Sequence, residues 1–321
     1  MTVPAAVAHG GAGAGPHRLP NIEAAVSRAR GILEAGGSAV EAAVEACVIL
    51  EDDPVFNAGT GAVFRTDGSV SLDASIQTSD GRMGFVIAMS DTPNPIMVAA
   101  DLLDEGINGL AGDGARSWAD DRGFEKSTVE GRPPHDEVSD TVGVVTRDAT
   151  GAIACATSTG GCSNRPPGRV GDVPLPGCGY WVQEGVGVGA TGIGEAITRS
   201  LLSYRVADRI IGGAGLGDGM QWALDEIVED GAEVGIIALG SDGEGLGLSN
   251  RSNMPWASWI GRWLGWLEGA LGTSGNQSNL RPIRRVSGDA LKEDPQVAAT
   301  EMARCQIWIR AYGRLRKCST N

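Results

Sequence analysis

The stretch Ser139-Asp140-Thr141-Val142-Gly143-Val144-Val145 decides how the chain is read. A polar lead ends at Asp140, and an apolar, β-branched run begins at Thr141. A second run, Ala152 to Thr159, ends in Thr157-Ser158-Thr159-Gly160-Gly161. Arg147-Asp148-Ala149-Thr150-Gly151 lies between them and has turn composition, so the two runs read as a hairpin. A hydroxyl residue that opens a buried strand after a charged, irregular segment suits a threonine that becomes a chain terminus. Its freed α-amine can then serve as base for its own hydroxyl. Taken alone, a half-buried strand beginning with Thr is the simpler reading. The rest of the chain reverses that balance.

Working outward, Ala5 to Ala8 reads as a strand ending in the Gly-rich loop His9-Gly10-Gly11-Ala12-Gly13-Ala14-Gly15. The glycine spacing of that loop is neither the dinucleotide nor the P-loop pattern. Apolar positions Ile22, Ala25, Val26, Ala29 and Leu33 predict a helix from Pro20 to about Gly36, and Ser38 with Glu41 caps a second over Ala39 to Leu50. Ala62 to Arg65, the Asp67-Gly68 turn and Val70 to Ile76 read as a hairpin. Met83 to Met89 and Val186 to Ala190 read as strands, and Val234 to Leu239 with Glu244 to Leu248 as a closing hairpin. Helices are expected from Asn94 to Leu103, around Gly114 to Asp121, over Ala196 to Val206 and over Gly219 to Val228. Lys126 to Asp140 has no periodicity and is expected to be an exposed connector. This order does not alternate as a parallel sheet requires. It suits antiparallel sheets packed on each other with helices outside.

The chain has 321 residues, a net charge of −14 and 49 glycines, with 42% hydrophobic and 5% aromatic residues. Strong acidity argues against a nucleic-acid binder held by phosphate contacts. Cys47, Cys155, Cys162, Cys178, Cys305 and Cys318 form no CxxC pair, and with 3 histidines a zinc site is not expected. The N-terminus lacks the basic start of a signal peptide, and no apolar run is long enough for a bilayer, so a reduced, cytoplasmic protein without membrane contact is expected. Residues 260–321 carry ten Lys/Arg against five Asp/Glu. Around its start, Trp256, Trp259, Trp263 and Trp266 recur at helical spacing, which reads as a helix packing back on the protein or, less simply, as a partner or membrane surface.

Three stretches beside Thr141 carry candidate chemistry. Thr157 to Gly161 closes the central hairpin. Gly168-Arg169-Val170-Gly171-Asp172 places one cation and one anion in a Gly-rich loop. Such a pair can hold an amino acid's α-carboxylate and α-ammonium, or it can be an ordinary surface ion pair. Thr191-Gly192-Ile193-Gly194-Glu195 offers a hydroxyl and a backbone N–H for an oxyanion, or simply a strand-to-helix turn.

Together and in this order, these motifs resemble the plant-type asparaginase/isoaspartyl peptidase family of N-terminal-nucleophile hydrolases, with glycosylasparaginase as close kin. The resemblance also takes in His9 to Gly13, Phe56-Asn57-Ala58-Gly59-Thr60-Gly61, Leu72-Asp73-Ala74 and Met254-Pro255-Trp256-Ala257. It implies an α+β fold, a four-layer αββα sandwich of two mainly antiparallel sheets, as a single domain over 1–259 followed by a basic extension over 260–321. It further implies self-cleavage between Asp140 and Thr141, giving an α-subunit of 1–140 and a β-subunit beginning at Thr141. Thr141 would be the nucleophile, oriented by Thr159. Thr191 and Gly192 would hold the oxyanion, Arg169, Asp172 and Gly194 the substrate, and Asn57 and Gly11 would brace the site. No cofactor is implied for the chemistry. A structural sodium ion is implied on the main chain of Leu50, Glu51, Asp53, Phe56, Ala58 and Thr60, as is a homodimer of αβ units.

The implied reaction is hydrolysis of the side-chain amide of L-asparagine and of β-aspartyl dipeptides. Two alternatives stay open at this point, a glycosylasparaginase and an uncleaved scaffold working through its Trp-rich tail. Gly160 and Ile193 stand where glycosylasparaginase has other residues, which favours the asparaginase side. Asp140 departs in the other direction, since Gly usually precedes the nucleophile in the plant-type branch.

Overall fold

The computed structural model describes residues 2–133, 141–251 and 253–261 in full, and 267–269 by their backbone. All lie in the first of the chain's two units, Met1–Ile283. In chain order the strands are β1 (Ala5–His9), β2 (Leu72–Thr78), β3 (Met83–Met89), β4 (Gly109–Ala111), β5 (Val142–Arg147), β6 (Ile153–Thr159), β7 (Tyr180–Gln183), β8 (Val186–Gly192), β9 (Val234–Gly240), β10 (Gly245–Ser249), β11 (Trp256–Ile260) and β12 (Leu267–Gly269). The α-helices are α1 (Leu19–Glu34), α2 (Ala39–Asp52), α3 (Pro95–Asp101), α4 (Gly112–Arg122), α5 (Gly194–Ser200), α6 (Leu202–Ile211) and α7 (Leu216–Glu226).

Two sheets form among the described residues. One runs β12-β11-β1-β5-β6-β2-β3-β4 and the other β10-β9-β8-β7. Every pairing is antiparallel except β3 with β4. Three apolar layers separate four layers of structure. Small side chains of α1 and α2, such as Ala25, Ala29, Ala43 and Cys47, let these helices pack closely on Ala6, Ala8, Val142, Val144, Ala154 and Ala156 of the larger sheet. On the other face of that sheet Val7, Val145, Ile153 and Cys155 meet Tyr180, Val182, Ile237 and Leu239 of the smaller one. Val186, Val188, Ile236 and Ala238 then face Ile197, Val206 and Met220 of the outer helices. The sheets are close enough that a Cβ on Gly187 would lie 2.6 Å from Val145 Cγ1, so glycine sets their spacing there. This is the α+β, four-layer sandwich that the sequence implied.

The cap of α2 is as expected, with Ser38 Oγ accepting the Glu41 N–H at 3.1 Å. Four readings need correction. The stretch 62–65 does not pair with β2. Its partner is Arg132, to which Phe64 N donates at 3.1 Å while Arg132 N donates to the Ala62 carbonyl at 3.0 Å. The helix expected over 196–206 breaks at Leu201, which takes φ 49° after Ser200 Oγ folds back onto the Ala196 and Ile197 carbonyls. Tyr180–Gln183, left without an element above, is a strand of the smaller sheet. Finally, Trp256 and Trp259 lie on a strand paired with β1, with Ala5 opposite Ile260. A spacing of three puts the two indoles on opposite faces, Trp256 between the sheets and Trp259 towards the helices. The sheet therefore runs past the boundary drawn at residue 259. Trp263 and Trp266 lie outside the described residues.

Candidate active site

Antiparallel pairing gathers one end of several strands. β5 begins where β1 and β6 end, with His9 opposite Gly143 and Ser158 opposite Val142. Thr141, the residue before β5, is buried and donates from Oγ1 to Thr159 Oγ1 at 3.2 Å. Thr159 Oγ1 also accepts the Gly161 N–H at 2.9 Å, and that fixes its rotamer. The corner is clamped by Asn57, whose Nδ2 donates to the Gly161 carbonyl at 2.7 Å while its Oδ1 accepts the Val63 N–H at 3.0 Å. Asp140 lies outside the described residues.

The Gly-rich loop after β1 links this corner to β8. Gly11, at φ 104°, donates its N–H to His9 Nδ1 at 3.2 Å, and Ala12 N donates to Thr191 Oγ1 at 3.3 Å. Thr191 is fully buried at the end of β8, and with its oxygen engaged as acceptor its own proton is free to donate. Gly192 follows at φ 133°, where a Cβ would sit 2.2 Å from the Glu233 carbonyl oxygen, so no side chain fits. Because His9 Nδ1 accepts, the ring proton belongs on Nε2, a buried atom without a hydrogen-bond partner among the described residues. Burial lowers the His9 pKa to about 3, so the ring is neutral at any working pH.

The expected substrate cation and anion are adjacent. Arg169 donates from Nε and Nη2 to the two Glu195 oxygens at 3.1 and 2.9 Å. Asp172 is 5% exposed, and burial raises its pKa to about 7 against the opposing pull of Arg169. Its Oδ2 has no hydrogen-bond partner among the described residues. Gly194 allows the approach, because a Cβ there would lie 2.7 Å from both Asp172 Oδ1 and Arg169 Nη2. A half-satisfied buried carboxylate beside a guanidinium held side-on can receive an ammonium and a carboxylate together.

Thr141, Thr159 and Asn57 thus meet at one corner, the loop of Gly11 and Ala12 joins it to Thr191, and Arg169, Asp172 and Gly194 lie together. Three further residues bear on them. Glu195 holds Arg169, while Arg65 and Asp73 are charged residues buried beside the corner, the Arg65 guanidinium against Gly161 and Asp73 opposite Thr159. Glu195 and Asp73 stood inside quoted motifs without a role, whereas Arg65 carried no signal in the sequence.

The loop assigned to sodium is rich in main-chain oxygen. Pro54 has no N–H for the Leu50 carbonyl, and the Val55 N–H turns to Asp53 Oδ1 at 3.0 Å. The carbonyls of Glu51 and Phe56 face the Cα atoms of Gly59 and Gly61, where a Cβ would lie 2.6 and 2.1 Å from them. Asp53 and Ala58 carbonyls each also accept one backbone N–H. Main-chain carbonyl oxygens are the donor type that suits a hard cation. No cluster of three or more His, Cys, Asp or Glu side chains suited to a metal occurs among the described residues.

The family model described as Asparaginase matches residues 2–132 and 125–264. Among similar curated proteins, an isoaspartyl peptidase/L-asparaginase of Synechocystis is 35% identical over 239 residues, 66% of this chain and 72% of the relative. The isoaspartyl peptidase of Escherichia coli is 33% identical over 276 residues, 73% of this chain and 86% of the relative. An isoaspartyl peptidase/L-asparaginase of Mus musculus is 35% identical over 251 residues, 71% of this chain and 77% of the relative. With the family model covering most of its length and these relatives matching 66% or more of it, the chain belongs to the asparaginase family.

Proposed function

We propose that this hydrolase cuts itself at the Asp140–Thr141 bond and then hydrolyses the side-chain amide of L-asparagine and of β-aspartyl dipeptides. The observation that carries the reading is the Thr141–Thr159 hydroxyl pair at 3.2 Å, with Arg169 and Asp172 in the loop that follows Thr159.

In the precursor, Thr141 Oγ attacks the Asp140 carbonyl carbon and the C–N bond breaks, leaving an ester on Oγ and a free amine on Thr141. Water hydrolyses the ester. The released amine, whose ordinary pKa of roughly 7.7–8.0 lies near working pH, accepts the Oγ proton in each later turnover. Thr159 orients the nucleophile by the hydroxyl bond already formed. Arg169 holds the substrate α-carboxylate through the N–H groups that Glu195 leaves free, and Asp172 holds the α-ammonium. Attack on the side-chain carbonyl places negative charge on its oxygen, which the Thr191 hydroxyl and the Gly192 N–H stabilise. The leaving amine departs with a proton as ammonia or as the amino group of the next residue. Water then cleaves the aspartyl ester and frees aspartate.

The reading includes a sodium ion in the 50–60 loop as a structural group, a homodimer of αβ units and a cytoplasmic location. No helix among the described residues is long and apolar enough to cross a membrane.

Purified protein tested on L-asparagine, a β-aspartyl dipeptide and an N4-glycosyl-asparagine decides the substrate class. Turnover of the first two supports the reading. Turnover of the glycosylated compound alone makes the protein a glycosylasparaginase, and no turnover of any refutes the enzyme reading.

A further inference from the structure

We propose that Asp73 and Arg65 are a positioning pair that ties the strand carrying Thr159 to the loop carrying Arg169 and Asp172. The inference rests on the amidohydrolase reading and assigns a role to two residues that the mechanism above leaves unused. Asp73 is the β2 residue directly opposite Thr159 of β6, and it is fully buried. The chain distorts to seat it. The β2–β3 register shifts between Leu72 and Ala74, and Ala88 takes φ 50° with its N–H donating to Asp73 Oδ1 at 2.8 Å. A bulge facing a left-handed alanine is costly backbone, and such geometry persists where the surroundings require it. Asp73 Oδ2 has no hydrogen-bond partner among the described residues. It lies in the field of the Arg65 and Arg169 guanidiniums and of the Gly171 N–H.

Arg65 is the other half. It is 3% exposed, and its Nε donates to Ser71 Oγ at 2.9 Å. The guanidinium lies against Gly161, where a Cβ would be 2.3 Å from Nη1. Gly161 is the residue that donates to Thr159 Oγ1 and accepts from Asn57. Asp73 is the foremost favourable charge acting on Arg65, while Arg169 opposes it. Asp73 sits opposite Thr159 on the sheet and acts by its charge on Arg65, which lies on Gly161, and on Arg169 of the substrate grip. Neither residue touches the reacting atoms, so the pair acts by placing others.

Steady-state kinetics on a β-aspartyl dipeptide separate this role from plain stability, using wild type, Asp73→Asn, Arg65→Met and the double variant. Asp73→Asn is expected to raise KM about tenfold with a smaller change in kcat, because the grip loop loses its anchor. Arg65→Met is expected to lower kcat about tenfold at nearly constant KM, because the Thr159 corner loosens. The double variant should lose less than the product of the two effects. Breaking one half of a buried pair can unfold a protein, and then the electrically neutral double variant becomes the readout. Kinetic constants within twofold of wild type in folded variants, or losses that track only the folded fraction, would overturn the proposal. An active wild type with unaffected variants removes this inference alone. An inactive wild type removes the amidohydrolase reading and this inference with it.

Discussion

The two halves of the site are built on opposite electrostatic terms. At the proposed nucleophile, Thr141, Thr159 and Thr191 are neutral hydroxyls; Thr141 bonds Thr159, and N–H groups of Gly161 and Ala12 hold Thr159 and Thr191. Such groups are cheap to bury once their bonds are made. At the grip, Arg65, Asp73 and Asp172 are charged residues held in the interior beside the half-buried Arg169, with Asp73 Oδ2 and Asp172 Oδ2 lacking partners among the described residues. The hydroxyl half is complete before substrate arrives. In the proposed reaction the charged half would be completed by the substrate's own ammonium and carboxylate, so that binding energy would repair a destabilised region.

That contrast can be broken at either side. The largest effect is expected from Asp172→Asn, with KM for asparagine up by ~100-fold from loss of the ammonium's partner. The same change should stabilise the protein. Burial raises the Asp172 pKa from 3.8 to about 7, so the folded state prefers the protonated form. The carboxylate therefore costs nothing below its unfolded pKa, costs progressively more as pH rises from 3.8, and reaches its full cost above 7. A stability gain by chemical denaturation that is small at pH 4 and largest at pH 8, up to roughly 4 kcal/mol, is the expected signature. A stabilisation that shrinks as pH rises would contradict it.

On the hydroxyl side, Thr159→Val should lower kcat by ~100-fold with KM nearly unchanged, and Thr159→Ser should recover most of the loss. Gly161→Ala places a Cβ 2.3 Å from Arg65 Nη1 at φ 77°. It is expected to cost about 1–3 kcal/mol, read by chemical denaturation. Glu195→Gln should have the smallest effect. Its carboxylate is 39% exposed, so a few-fold rise in KM that fades at high salt is expected.

The hydroxyl half was the more legible in sequence. Thr141 and Thr159 sit at the ends of apolar runs joined by a short turn, and a tight hairpin fixes which residues face each other. Glu195, Asp73 and Arg65 gained no role because their functions depend on packing between distant segments. Nothing local announces that Arg65 will lie on Gly161 or that β2 will bulge at Asp73. The same limit explains the misplaced hairpin at 62–76, whose true partner, Arg132, is remote in the chain. The tryptophans failed for a different reason, since a spacing of three satisfies a helix stripe and also alternates across a strand.

The intact mass of purified protein incubated near neutral pH, beside a Thr141→Ala control, tests the central claim most directly. Two fragments, the second beginning at Thr141, with the control left whole, is the predicted result. A wild-type chain that remains at full length for days, or a control that is cut at the same bond, would contradict the account.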